Sequence, residues 1–322
     1  MPTIGFHASH EQISPARLLR DVRSAASVGF EAAMCSDHFE PWSLTQGHAG
    51  FAWAWLGAAL ASTDLRIGVV TAPGQRYHPA ITAQASATLA GMFPGRFWMA
   101  LGSGQNMNEH ITGDPWPDKK VRQQRLEECV QVIRRLHAGE EVTHQGLVTV
   151  DRARLWDLPE TPPPLLGPVM SVETARRAAT WADGLITTNQ PPERLKELLG
   201  AYREEGGTGP AVLQVHLSWA ATENEAASIA MHQWRTNSVG PPAAWDIATA
   251  LEFDEYAEQE RVSVEQVGGT VNISADTGQH AQWLHEYAEL GFDELYLHHV
   301  GQDQRAFIEA FGADVLPQVR DT

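Results

Sequence analysis

Short apolar runs alternate with amphipathic segments along the whole of this chain, and no other feature restricts its fold as tightly. Runs near Thr3–Phe6, Ala32–Cys35, Leu65–Val70, Arg96–Leu101, Leu165–Val169, Gly184–Thr187, Val212–Ser218 and Glu294–His298 have the length and apolar content of buried strands. Helical spacing falls between or after them at about 14–29, 51–62, 79–92, 118–138, 172–182, 191–205, 222–235 and 303–318. Such alternation predicts a parallel sheet with crossover helices. Eight units without a break favour a closed (β/α)8 TIM barrel over an open doubly wound sheet. A barrel takes roughly 250 residues, and the chain has 322. The surplus reads as insertions within one domain spanning 1–322, after strand four and before strand eight. Residues 140–158 predict a small hairpin, and 236–274 a loop with extra helical pieces.

Composition narrows the function. A hydrophobic share of 43% is enough for a large core without disulfides or metals. Forty acidic side chains against 23 basic ones give a formal charge of −17 with no Lys/Arg run, which argues against nucleic acid and anionic membrane as partners. Cys35 and Cys129 read as small buried hydrophobes in a reducing compartment. The N-terminus lacks a signal-peptide pattern, and Phe51–Ala61 is too short to span a bilayer, so a cytoplasmic location is expected.

In a barrel, chemistry sits where the strands end. After strand two stands Ser36-Asp37-His38-Phe39-Glu40-Pro41-Trp42, an acid, an imidazole and an indole emerging together. His38 suits a general acid or base, Asp37 a ring contact and Trp42 a stacking wall. The same residues also suit a capped loop with a packed indole. After strand four, Gly102-Ser103-Gly104-Gln105-Asn106-Met107-Asn108 offers glycines for close backbone approach, or merely a tight turn. After strand five, Ser171 reads as an N-cap whose free backbone N–H groups and following Arg176 and Arg177 attract phosphate, or as an ordinary helix start. Strand eight ends in His298-His299, of which one points into the barrel and one out. No His/Cys/Asp/Glu spacing marks a metal site, which weakens a metal-dependent hydrolase reading.

Taken in order, Ser36-Asp37-His38-Phe39-x-Pro-Trp42, Arg76-Tyr77-x-Pro79, Gly102-x-Gly104-x-x-x-Asn108-Glu109 and Asp303-Gln304-Arg305 resemble the luciferase-like flavin and deazaflavin oxidoreductases. The branch most similar is that of the coenzyme F420-dependent glucose-6-phosphate dehydrogenases. The resemblance implies a flavin or deazaflavin ring at the barrel mouth, with Asp37 touching it. His38 would be the catalytic acid/base, and Trp42 a wall beside the reacting carbon. It implies a cis non-proline peptide near Val70–Thr71 under the ring, Gly104 and Asn108 near ring and tail, and the cofactor phosphate at the helix opened by Ser171. It also implies a homodimer.

Three departures shape the expectation. Gln105 stands where those dehydrogenases carry a catalytic glutamate. Pro191 and Thr270 stand where they grip a sugar phosphate. Val169-Met170-Ser171 replaces their phosphate loop. The sequence reading therefore puts FMN ahead of coenzyme F420. It expects hydride transfer or oxygenation of a small organic substrate. A flavin-binding protein without turnover, or an F420-dependent dehydrogenase of a non-phosphorylated sugar or alcohol, are its alternatives.

Overall fold

The computed structural model describes residues 1–320. Its eight long strands are β1 (Thr3–Ala8), β2 (Ala32–Ser36), β3 (Arg66–Thr71), β4 (Phe97–Leu101), β5 (Leu165–Pro168), β6 (Gly184–Thr188), β7 (Ala211–Ser218) and β8 (Glu294–His299). Each is parallel to its neighbours in the order β7-β8-β1-β2-β3-β4-β5-β6, and β6 returns to β7, so the sheet closes. The (β/α)8 expectation is correct, and all eight predicted strands fall on these eight.

Alternation along each strand divides two cores. Ile4, Phe6, Ala33, Cys35, Ile67, Val69, Phe97 and Met99 face the surrounding helices. Met34, Trp98, Ala100, Leu166, Val212 and Tyr296 fill the barrel interior. Two inward positions must be glycine: a Cβ at Gly68 would lie 1.9 Å from the Trp98 ring, and one at Gly5 would lie 2.3 Å from Tyr296. The two aromatics thus plug the barrel floor, and everything above them belongs to the mouth.

Between β4 and β5, Val142–Gln145 pairs antiparallel with Thr149–Ala153. The long segment between β7 and β8 builds a lid with its own core, in which Trp234, Val239, Phe253 and Val267 pack together. One helix in that stretch, Thr277–Glu289, has no counterpart in the sequence reading. It carries Ala281, Leu284 and Tyr287 into the main core, whereas Glu223–Trp234 turns Ala230 and Trp234 to the lid. The interspersed His280, Gln282, Trp283 and His285 blur its apolar period. Among the described residues, no helix is long and apolar enough to cross a membrane.

Candidate active site

A cavity of about 1210 Å³ opens at the strand C-termini, roofed by the lid. Asp37, His38, Trp42, Val70, Thr71, Gly102, Gly104, Gln105, Asn108, Ser171 and Arg177 all line it. Arg176 does not. A residue next to another on a helix is turned about 100° away, and Arg176 instead pairs with Glu204 at 3.6 Å on the surface.

Asp37 is buried directly after β2 and is held on every side. Its Oδ2 accepts from Thr71 Oγ1 at 2.9 Å, its Oδ1 from Tyr77 OH at 3.2 Å, and Arg76 lies 3.4 Å from Oδ2. Arg76 also donates to the Asp37 carbonyl at 2.9 Å, while Glu109 accepts from the Arg76 backbone N–H at 2.6 Å. Burial pushes both the Glu109 carboxyl and the Tyr77 phenol up, so the phenol stays a donor throughout the working range.

His38 hangs in a looser cage. Its Nε2 is 3.4 Å from Glu11 Oε1, and its Nδ1 is 3.3 Å from the Glu40 carbonyl and 3.4 Å from Asn108 Nδ2. Asn108 Oδ1 accepts from the Phe39 N–H at 2.8 Å, which aims its amide nitrogen at the imidazole. A neutral ring donates to Glu11 and accepts from Asn108. A charged ring donates to Glu11 and to the Glu40 carbonyl. Both protonation states therefore find partners, as an acid/base residue requires. All three contacts are long for hydrogen bonds, so a substrate hydroxyl can displace one.

Trp42 tilts over His38 with ring centroids 5.4 Å apart and meets Phe253 of the lid edge-on at 5.3 Å. Gln46 ties this loop to the lid, accepting from the Trp42 N–H at 3.1 Å and donating to the Gln233 carbonyl at 2.9 Å. Gln105 precedes the short helix Asn106–Glu109, and its amide oxygen accepts from Asn108 Nδ2 at 3.4 Å.

The cis peptide expected near Val70–Thr71 is absent: among the described residues the one cis bond is Pro241–Pro242. Val70 and Thr71 stay in register with Ala100 and Leu101, and both carbonyls accept ladder bonds, from the Asp37 and Gly102 N–H groups. Pairing on both sides holds the extended backbone. A Cβ at Gly102 would meet protein only at 3.7–4.0 Å, so no protein contact demands glycine there. The side chain it lacks would occupy cavity space. Gly104 is different: its φ of +88° favours glycine, and a Cβ would press on Glu109 Cγ at 3.1 Å.

At the far end, Ser171 caps Val172–Ala179 in a reciprocal capping box with Thr174. Arg177 lies 2.9 Å from Glu127, Lys119 3.5 Å from Glu173, and Arg122 3.5 Å from Asp246.

The sequence reading missed Glu11 and the imidazole floor. His7 stacks on His298 at 4.2 Å, and His216 meets His298 edge-on at 5.4 Å. The paired histidines of β8 divide as alternation requires, since His299 points outward onto Phe307. Burial lowers all of them, His216 to about 3, and His7 and His298 well below the usual range, where neighbouring imidazoles add to the effect. One bonding direction satisfies the chain. Gln12 donates to the Val300 carbonyl, so its Oε1 accepts from His298 Nε2 at 2.8 Å. Gln214 Nε2 then donates to His298 Nδ1 and His216 Nε2, each at 3.1 Å. The Thr270 backbone in the lid partly offsets the burial that lowers His216. The floor is polar and uncharged. Strand-end positions of β1 and β7 carried that signal.

Residues 2–294 match the family model described as luciferase-like monooxygenase. The chain belongs to that family. It is 34% identical over 332 residues to an F420-dependent glucose-6-phosphate dehydrogenase of Beutenbergia cavernae, covering 99% of this chain and 98% of that protein. Another such dehydrogenase, from Nakamurella multipartita, is 34% identical over 329 residues, covering 98% and 96%. Among solved structures, an F420-dependent secondary alcohol dehydrogenase in complex with an F420–acetone adduct superposes with a TM-score of 0.91 at 30% identity, covering 99% of each chain. At 19% identity, the F420-dependent tetrahydromethanopterin reductase of Methanopyrus kandleri shares the fold, with a TM-score of 0.78 and 99% of each chain covered. The chain is an oxidoreductase of this family.

Proposed function

We propose that this chain is an F420-dependent dehydrogenase that interconverts a small uncharged alcohol and its carbonyl compound. The observation that carries the reading is His38, caged so that either protonation state is satisfied, beside Trp42 in the barrel mouth. The relatives put coenzyme F420 ahead of FMN, reversing the order taken from the sequence.

The residues present suit such a cofactor. Gly102 leaves space that a side chain would fill, Asp37 is held as an acceptor, and the Ser171-capped helix with Arg177 and Lys119 offers donors and positive charge to an anionic tail. When bound, a deazaflavin supplies a two-electron hydride acceptor. The chain's part is to move the proton: as the carbinol C–H leaves as hydride, His38 takes the hydroxyl proton and Glu11 steadies the resulting imidazolium. Gln105 can hydrogen-bond the substrate oxygen but cannot exchange a proton with it.

Neutrality of the substrate follows from the lining beside His38. Trp42, Trp234, Val239, Pro241 and Trp245 make the lid side apolar, and Arg76, which also lines the cavity, lies 3.4 Å from the Asp37 carboxylate.

The test is titration of purified protein with F420 and with FMN, then turnover of a panel of neutral alcohols followed by loss of the oxidised deazaflavin absorbance. Tight F420 binding and reduction by an alcohol are expected. FMN binding with no F420 binding below about 100 μM, roughly −5.5 kcal/mol, would overturn the cofactor reading.

A further inference from the structure

We infer that the active-site cavity continues through the barrel wall into a second cavity that takes the uncharged tail of an elongated alcohol. The inference rests on the dehydrogenase reading above for the head of the substrate, and on separate observations for the tail.

A cavity of about 580 Å³ lies outside the main one, between the helices Pro192–Glu204 and Thr277–Glu289. Asn189, Gln190, Pro191 and Gly269 line both spaces, so one layer of residues divides them. Gly269 belongs to that layer, and Gly268 beside it lines the second cavity. Neither has the positive φ that would call for glycine, and Gly269 sits at φ −75°. Packing does not demand glycine either. A Cβ at Gly268 would meet nothing within 4 Å, and one at Gly269 only backbone carbonyls of the preceding turn at 3.4–3.5 Å. Gly268 even closes a helix, where glycine is the poorest former apart from proline. Two glycines unneeded by backbone and by packing leave one consequence of their placement, a partition kept low enough for a chain to pass between the cavities.

The walls beyond the opening say what passes through it. Trp283, Tyr287, Leu290, Val271 and Pro192 present rings and aliphatic surface. The Tyr287 hydroxyl is turned to Asn272, at 3.2 Å, which leaves the ring face as its contribution. Glu286 and Glu289 stand at the rim, and the one cation there, Lys196, is 2.9 Å from Glu193. An anionic tail is repelled and an alkyl chain is accommodated. The substrate class is thus an alcohol or carbonyl compound with a linear alkyl chain, its carbinol beside His38 and its tail threaded past Pro191 and Gly269.

The test uses the full chain and linear 2-alkanones from acetone to 2-decanone, with the matching alcohols. Binding to the protein is measured by calorimetry, and F420 reduction by the alcohols in parallel. Affinity is expected to rise about fourfold per methylene once the chain reaches the opening, the equivalent of 0.8 kcal/mol per buried CH₂. Gly269→Phe should close the opening and lower the ratio of 2-decanone to acetone affinity at least tenfold. Trp283→Ala, a milder change on the far wall, should lower the same ratio several-fold. Affinity independent of chain length, or equal losses for short and long ketones in both variants, overturns the passage. Length-dependent ketone binding without oxidation of any alcohol sinks the dehydrogenase reading and leaves the passage standing.

Discussion

Acidification should unfold this protein through its buried imidazoles, and His10 makes the effect measurable. Its ring is sealed edge-on against Trp55 at 5.0 Å, and neither ring nitrogen has a hydrogen-bond partner. Burial, helped by nearby His38, lowers it to about 4. In the unfolded chain it titrates near 6.5. Above about pH 6.5 both states hold a neutral ring and stability is intact. As pH falls from there toward 4, the unfolded chain takes up a proton that the fold refuses, and stability drops by about 1.4 kcal/mol per pH unit. At pH 5 this loss is about 2 kcal/mol for His10. His216, lowered to about 3, and His299, lowered to about 4, act in the same sense. The three together cost about 6 kcal/mol, against a usual domain stability of about 5–15 kcal/mol. His10→Phe keeps the aromatic contact and deletes one titration. Urea denaturation at pH 7.5 and pH 5 should then show a loss about 2 kcal/mol smaller in the variant than in the parent. Equal losses in the two proteins would refute the reasoning.

Two substitutions probe the site itself. His38→Ala should keep cofactor affinity within a few fold while lowering single-turnover rate by about 10²–10⁴-fold. An unchanged rate per folded molecule, with a lowered melting temperature, would make His38 a packing residue only. Asp37→Asn removes a buried carboxylate that accepts from Thr71 and Tyr77 and faces Arg76, so it should cost about 3–5 kcal/mol in urea denaturation. A loss below about 1 kcal/mol would show that Arg76 is satisfied without it.

The barrel was legible because its determinants are local. Each strand is a short apolar run, and some turns are marked by residues such as Gly29 and Gly291 that follow helices with positive φ. Cavity residues at the ends of β2 and β4 were legible for the same reason, since a strand end names its own mouth residues. The lid was not. Its core joins Met107 after β4 to Trp234, Phe253 and Val267, and no short window of sequence contains that pattern. Arg176 shows the opposite failure: a local rule placed two adjacent arginines at one phosphate, while helix geometry lets only Arg177 face the cavity.

The floor of imidazoles shows how burial and one bonding direction set several titratable groups apart from His38. His7, His216 and His298 come from three strands and meet only when the barrel closes. Their mutual burial, and the single bonding direction from the Val300 carbonyl to His216, disfavour a further proton, because a second proton on either His216 or His298 would set donor against donor at Gln214. His38 stands outside that chain. Its long contacts to Glu11, Glu40 and Asn108 offer partners to either protonation state. The same bonding chain ties β7 to β8 through Gln214 and β8 to the segment after β1 through Gln12, so the polar floor also braces the barrel mouth.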